Sequence, residues 1–187
     1  MKNVILTISL SFLIIACKTQ KPLAKMDEGK INISGETYLI KKPDHKRTQL
    51  VNTSNKFSKV RFYAPNLPQD IKINSYIKFD KKIVTQICAK YIPLSILEQL
   101  PKGFNDFLFI GFKMNENGSP IEIEFLMKNT SLLTLSQLKE IEEELKAGKF
   151  KVVIQPEIKQ FLKGINYFEV DIPVLYSDML KSKQEKF

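Results

Sequence analysis

Between Phe107 and Met127 two apolar runs flank Asn117-Gly118. An Asn-Gly pair favours positive φ at both central positions, so the spacing predicts a two-residue type I′ turn and a β-hairpin. That turn pairs Met114 with Ile121, Phe112 with Ile123, Ile110 with Phe125 and Leu108 with Met127 on one face. The other face pairs Lys113 with Glu122, Gly111 with Glu124, Phe109 with Leu126 and Phe107 with Lys128. A slip of one residue would drive Glu122 and Glu124 into the core, so the alternation fixes the register as well as the strands.

A helix is predicted next. Thr134 and Gln137 have capping-box spacing, and Leu133 and Leu138 the spacing of a hydrophobic staple. Leu135, Leu138, Ile141 and Leu145 share one face, and Gly148 is a natural stop. The cluster Glu140, Glu142, Glu143 and Glu144 is expected on the wet side. The last strand, Tyr167 to Tyr176, sets Phe168, Val170, Ile172 and Val174 against Glu169 and Asp171. Pro173 lacks an N–H, which suits an edge strand or a bulge there. The Asn117-Gly118 hairpin, the helix from Leu135 to Ala147, the Gly148-Lys149-Phe150 exit and the closing strand together resemble the C-terminal domain of TonB-type energy transducers. That resemblance implies an interaction module able to pair a sheet edge with a partner segment. The chain departs from the family in having no long Pro-rich spacer, its nine Pro being scattered.

The N-terminus dictates location. Lys2 precedes an apolar run, Val4–Ile15, of 12 residues, which is too short to span a bilayer, for which roughly 20 are needed, but fits a secretory signal. Its end, Ile14-Ile15-Ala16-Cys17, resembles the lipobox of bacterial lipoproteins. The resemblance implies cleavage after Ala16, a diacylglyceryl anchor on Cys17 and a place in the bacterial cell envelope, with the outer rather than the inner membrane as the expected carrier. Export makes nucleic acid an unsuitable partner. With Cys17 acylated, Cys88 is left without a disulfide partner, and its apolar flanks predict a buried, inert thiol.

The chain carries a net charge of +9, unevenly placed. Basic residues outnumber acidic ones 17 to 7 between residues 18 and 105, but number 11 against 13 from 106 onward. The basic half lies next to the anchor. It could lean on an anionic membrane through Lys41, Lys42, Lys46 and Arg47, or form a solvated Lys-rich surface. The expected fold is α+β: an antiparallel sheet with a C-terminal strand-strand-helix-strand unit and a β-rich N-terminal half. The expected division is a signal peptide (1–16), a lipid-anchored tether (17–30), the N-terminal half with a helix at 80–91 (31–104), the ββαβ unit (105–176) and a polar tail (177–187). Within the N-terminal half, Ile31 to Ile40, Thr48 to Val51, Phe57 to Tyr63 and Ile71 to Phe79 all read as strands.

Chemistry-bearing motifs are sparse. The single His, His45, sits in a cationic turn and cannot build a multi-His metal site. No phosphate loop or nucleophile elbow is present, and no cofactor is expected. Glu122 and Glu124, about 7 Å apart on one strand face, are the one pair that could divide acid and base roles; a solvated face with a Lys113–Glu122 pair is the plainer reading. Phe57, Phe62 and Tyr63, set among Lys56, Lys59 and Arg61, are candidates for an aromatic and basic contact surface. These readings converge on a non-catalytic interaction module held at a membrane, with an envelope protein as its expected partner. The alternatives are a structural envelope lipoprotein and a carboxylate-dependent hydrolase.

Overall fold

The computed structural model describes residues 21–185. One 3₁₀ turn, Leu23–Lys25, leads into β1 (Gly29–Ile33), β2 (Glu36–Asp44) and β3 (Arg47–Asn52). An irregular excursion then runs to the two-residue strand β4 (Ile77–Lys78) and helices α1 (Lys81–Tyr91) and α2 (Leu94–Gln99). The predicted hairpin follows as β5 (Phe107–Met114) and β6 (Pro120–Lys128), then α3 (Leu135–Glu144). The chain closes with β7 (Val153–Ile154), α4 (Pro156–Lys159), β8 (Phe168–Leu175) and α5 (Tyr176–Gln184). The fold is α+β.

Six strands form one antiparallel sheet in the order β1-β2-β3-β6-β5-β8, and β4 pairs with β7 apart from it. The β3–β6 pairing carries the sheet across both halves of the chain. Pro173 lies on edge strand β8, where its missing N–H costs no ladder bond. Registers align side chains into rows. Ile40, Leu50, Phe125, Ile110 and Ile172 form one inner row, and all five are buried. Ile123, Phe112 and Val170 form the next. Helices α1, α3 and α5 cover this face, contributing Val84, Ile87, Leu138, Ile141 and Met179 to the same core.

The hairpin register holds from Phe109–Leu126 to Lys113–Glu122 and then shifts, so that Met114 faces Pro120 rather than Ile121. The cause is the turn. Asn117 does not have the positive φ that a type I′ turn requires; only Gly118 does, at 76°. The Asn115 carbonyl accepts from Gly118 N–H, and its side chain accepts from the N–H groups of Asn117 and Ser119. This is a three-residue loop with a bulge, and it leaves Ile121 half-buried. Two residues with positive φ, Ser34 at 49° and Gly35 at 82°, instead form the tight two-residue turn between β1 and β2.

The helix α3 starts as its sequence predicts: Thr134 and Gln137 cap each other reciprocally. Its acidic side is not uniformly wet, however. Glu142 and Glu144 are buried. Glu142 takes a 2.5 Å ion pair from Lys146 and lies 3.0 Å from the buried Tyr38 hydroxyl. Glu144 is clamped by Lys90 and Lys149, each at 2.6 Å. Burial works against the Glu144 carboxylate, but hydrogen bonds from Lys149 and Lys90 outweigh it and bring its pKa down to about 2.

Three other expectations are corrected. Within the expected tether, Leu23 is fully buried and its N–H donates to Leu133, while Gly29 and Lys30 already belong to β1. The residues pack because Leu23 and Ala24 complete the core. The expected polar tail forms α5, which buries Tyr176 and Met179; Lys183 donates to the carbonyls of Ala89 and Ile92 at the end of α1. The strands expected over Phe57–Tyr63 and Ile71–Phe79 reduce to 3₁₀ turns at Phe57–Lys59 and Ile73–Tyr76 and to β4. By contrast α1 begins at Asp80, whose side chain caps Lys82 N–H, and Cys88 is buried, its thiol pushed up to about 12 by burial.

Candidate functional site on the outer sheet face

With helices filling one face, the other is left to the rows Lys41–Gln49–Leu126–Phe109–Pro173, Leu39–Val51–Glu124–Gly111–Asp171 and Glu122–Lys113–Glu169. The excursion crosses the turn-proximal part of this face as a strap. Lys113 and Glu122 face each other across strands, as the sequence predicts, yet they do not pair directly. Each holds the main chain of Phe57 instead: Glu122 Oε1 accepts from its N–H at 2.8 Å, and Lys113 Nζ donates to its carbonyl at 2.8 Å. Glu122 is consequently buried, and its Oε2 has no hydrogen-bond partner among the described residues.

Further along the strap, the Tyr167 hydroxyl donates to the Val60 carbonyl and Asn166 Nδ2 to the Arg61 carbonyl. Asn166 Oδ1 accepts from Tyr63 N–H. Lys113 Nζ sits 4.4 Å from the Tyr167 ring centroid, and Phe57 and Phe62 pack on the same ring at 5.6 and 6.0 Å. Asn55 Nδ2 donates to the Ile123 carbonyl and anchors the strap's start.

Beside the strap the face is concave. The cavity measures about 310 Å³, with Gly111 in its floor and Gln49, Ser58, Lys113, Glu124, Glu169 and Asp171 around it. Gly111 lies between Glu124 on β6 and Asp171 on β8. The absence of a side chain there makes the depression, since two interstrand steps separate the flanking carboxylates, roughly 10 Å between Cα atoms. Gln49 Nε2 donates to Glu124 Oε2 at 2.8 Å. Lys113 Nζ is 3.8 Å from Glu169. Asp171 stays exposed at the edge of the concavity, where partial desolvation, and then the neighbouring Glu169 carboxylate, raise its pKa.

Of the carboxylates singled out from the sequence, Glu124 faces this cavity and Glu122 is sealed beneath the strap. Asp171, assigned from the sequence only to the polar side of its strand, joins Glu124 because β8 returns beside β5. The alternation of β5 and β8 contained the signal, but the strand order was needed to read it. Of the basic residues, Lys42, Lys46 and Arg47 lie toward the β2–β3 turn at the other end of the sheet, and Lys41 pairs with Gln49 in a row that reaches the cavity. Lys41 and Lys46 are exposed, whereas Lys42 is tied to the Ala24 carbonyl and Thr48, and Arg47 pairs with Asp44 at 2.6 Å. Lys42 therefore brings the basic β2–β3 turn and the start of the described chain to one end. Cys17 lies outside the described residues. Among the described residues no group of His, Cys, Asp and Glu is arranged to hold a metal, and no helix is long and apolar enough to cross a membrane.

This architecture, a six-stranded antiparallel sheet with helices on one face and a strap on the other, defines a class of α+β domain. A solved structure has a similar fold: the crystal structure of a DUF5043 family protein from Bacteroides uniformis superposes with a TM-score of 0.62 at 17% identity, covering 83% of this chain and 88% of that one. The likeness is one of fold. The chain matches no family model and no curated protein.

Proposed function

We propose that this chain is a lipid-anchored lipoprotein of the bacterial cell envelope, and that its domain is a non-catalytic interaction module. The cavity over Gly111 is its contact site. One observation carries this reading: the face opposite the helices is not a flat wet surface but a polar concavity, walled by a strap that six side-chain hydrogen bonds to or from its residues 55–63 hold in place. Preformed concavities with convergent polar groups are where ligands bind. Glu124, Glu169 and Asp171 outnumber Lys113 there, which suits a partner segment bearing a cationic side chain. Anchoring at Cys17 raises the domain's effective concentration toward partners on the same membrane. Pro173 disfavours edge pairing through β8, the closing strand.

The test is site-specific photocross-linking in native envelopes from Ser58, on the cavity wall. A discrete protein adduct, lost on Asp171→Arg, is the expected result. Adducts that are unchanged by Asp171→Arg would defeat the cavity as the contact site. A hydrolase is the second reading, favoured by the raised Asp171 carboxyl opposite the Gln49-bound Glu124, an acid and a base in different environments. It requires that Glu124→Gln and Asp171→Asn each abolish a hydrolytic activity of the intact protein.

A further inference from the structure

The strap carries more than a wall for the cavity. Its sequence from Lys56 to Tyr63 is Lys-Phe-Ser-Lys-Val-Arg-Phe-Tyr, with three cations and no acid. Every residue from Ser58 to Tyr63 is exposed. Val60, Phe62 and Tyr63 stand out at 44, 42 and 61% exposure, uncommon for large apolar groups with core available nearby. Lys56, Lys59 and Arg61 form no ion pair among the described residues.

Two physical features choose the occupant. First, the backbone is fixed at Phe57, Val60, Arg61 and Tyr63 by side chains from β5, β6 and residues 166–167. These side chains are thus presented outward at little further entropic cost on binding. Second, six consecutive exposed residues make a ridge, with apolar and cationic groups alternating along it. A ridge of this kind finds no complementary pocket on a flat surface, but it sinks into a deformable interface. Aromatic rings settle at the headgroup level, while Lys and Arg stems extend to anionic groups around them.

We propose that the ridge Lys56–Tyr63 is a second membrane contact, which docks on an anionic lipid surface and orients the domain. This rests on the lipid-anchored reading for its setting, but not for its chemistry. The ridge lies at the Asn115–Ser119 end of the sheet, where Asn55 and Phe57 meet β6 and β5. The basic β2–β3 turn lies at the opposite end, beside Asn129. Anchor and ridge therefore hold the domain at two points and lay it along the membrane, with the cavity opening beside the contact.

The test uses the chain from Lys18 onward, which keeps every residue of the described fold but lacks both the apolar run Val4–Ile15 and the acylated Cys17, so that only the domain surface can bind. Vesicles of phosphatidylcholine containing roughly a third phosphatidylglycerol are compared with pure phosphatidylcholine by co-sedimentation. Binding to the anionic vesicles alone is expected, weakened by salt as the Debye length shrinks. Reversing Lys56, Lys59 and Arg61 to Glu is expected to lower partitioning by at least on the order of a hundredfold, the factor that loss of the three cations alone would give. Val60→Ser with Tyr63→Ser is expected to abolish the protection of a neighbouring solvatochromic label while leaving circular dichroism unchanged, since both side chains are exposed and neither packs on Tyr167. Lys41→Glu with Lys46→Glu is the comparison, expected to change partitioning severalfold less than the ridge reversal. The proposal is overturned if the parent chain does not bind anionic vesicles, if it binds both vesicle types equally, or if the ridge variants bind as the parent does. Capture of an acidic protein by the ridge without vesicle binding would likewise overturn it. The cavity reading is tested separately, by the cross-link from Ser58.

Discussion

The two faces of the sheet bury carboxylates in opposite ways. On the helix side Glu142 and Glu144 are closed off by cations and a hydroxyl: Lys146 and Tyr38 for one, Lys90 and Lys149 for the other. These interactions join α3 to β2 and α1. On the outer side, Glu122 and Lys113 spend their charges on a peptide group of the strap rather than on each other. The first arrangement locks elements that apolar packing already joins. The second holds in place a segment that leaves much of its own apolar area exposed. Stability therefore resides in the helix-covered face, and the proposed contacts on the strap-covered one.

The largest effect that would test this contrast comes from the inner face. Phe125→Ala is expected to cost about 3–5 kcal/mol in denaturant unfolding, lowering the midpoint of the whole domain. Glu122→Ala is expected to cost less, about 1–3 kcal/mol, from the lost charged partner of Phe57 N–H. Its signature is local: hydrogen exchange should quicken over residues 55–63 and stay slow in α1 and α3. Equal acceleration in the helices would show that the two faces are one cooperative unit. A smaller effect depends on pH. The Glu144 pKa is depressed in the folded chain to about 2. Its stabilising contribution is therefore complete above the unfolded value near 4.3 and is lost as pH falls toward about 2. The advantage of the parent over Glu144→Gln, measured at pH 7, should shrink across that window. The smallest effect on stability is expected from Gly111→Ala, within about 1 kcal/mol, because a Cβ there meets only Asp171 Oδ1 at 3.5 Å. The same change shallows the cavity, so it should weaken the cross-link from Ser58 while leaving unfolding nearly unchanged.

Glycine shows how far local sequence carries. Gly118 is required twice over: its φ is 76°, and an added Cβ would lie 2.3 Å from the Val152 carbonyl oxygen. The Asn-Gly pair rightly marks a hairpin. The turn type fails because the Asn115 side chain offers the loop two hydrogen bonds, and Val152 N–H bonds the Gly118 carbonyl from a distant segment. Gly35, with open space around it, forms the tight turn from local preference alone. The excursion misled for a related reason. Phe57 to Tyr63 alternates as a strand does, but alternation requires a free edge to pair with. The strap lies over the sheet's face, and its hydrogen bonds go to side chains instead.

What the sequence determined by itself is what short-range physics controls. It specified the capped starts of α1 and α3, the pairing of Phe109 to Lys113 with Leu126 to Glu122 and the buried thiol of Cys88, and it narrowed Pro173 to an edge strand or a bulge. Each depends on residues within a few positions or on a two-residue period. Only the tertiary structure decided which carboxylates are buried, that Asp171 joins Glu124 across Gly111, and that the strap's aromatic and basic residues remain at the surface. Those outcomes depend on strand order and on a segment crossing the sheet. Both are fixed by long-range burial, which no local pattern encodes.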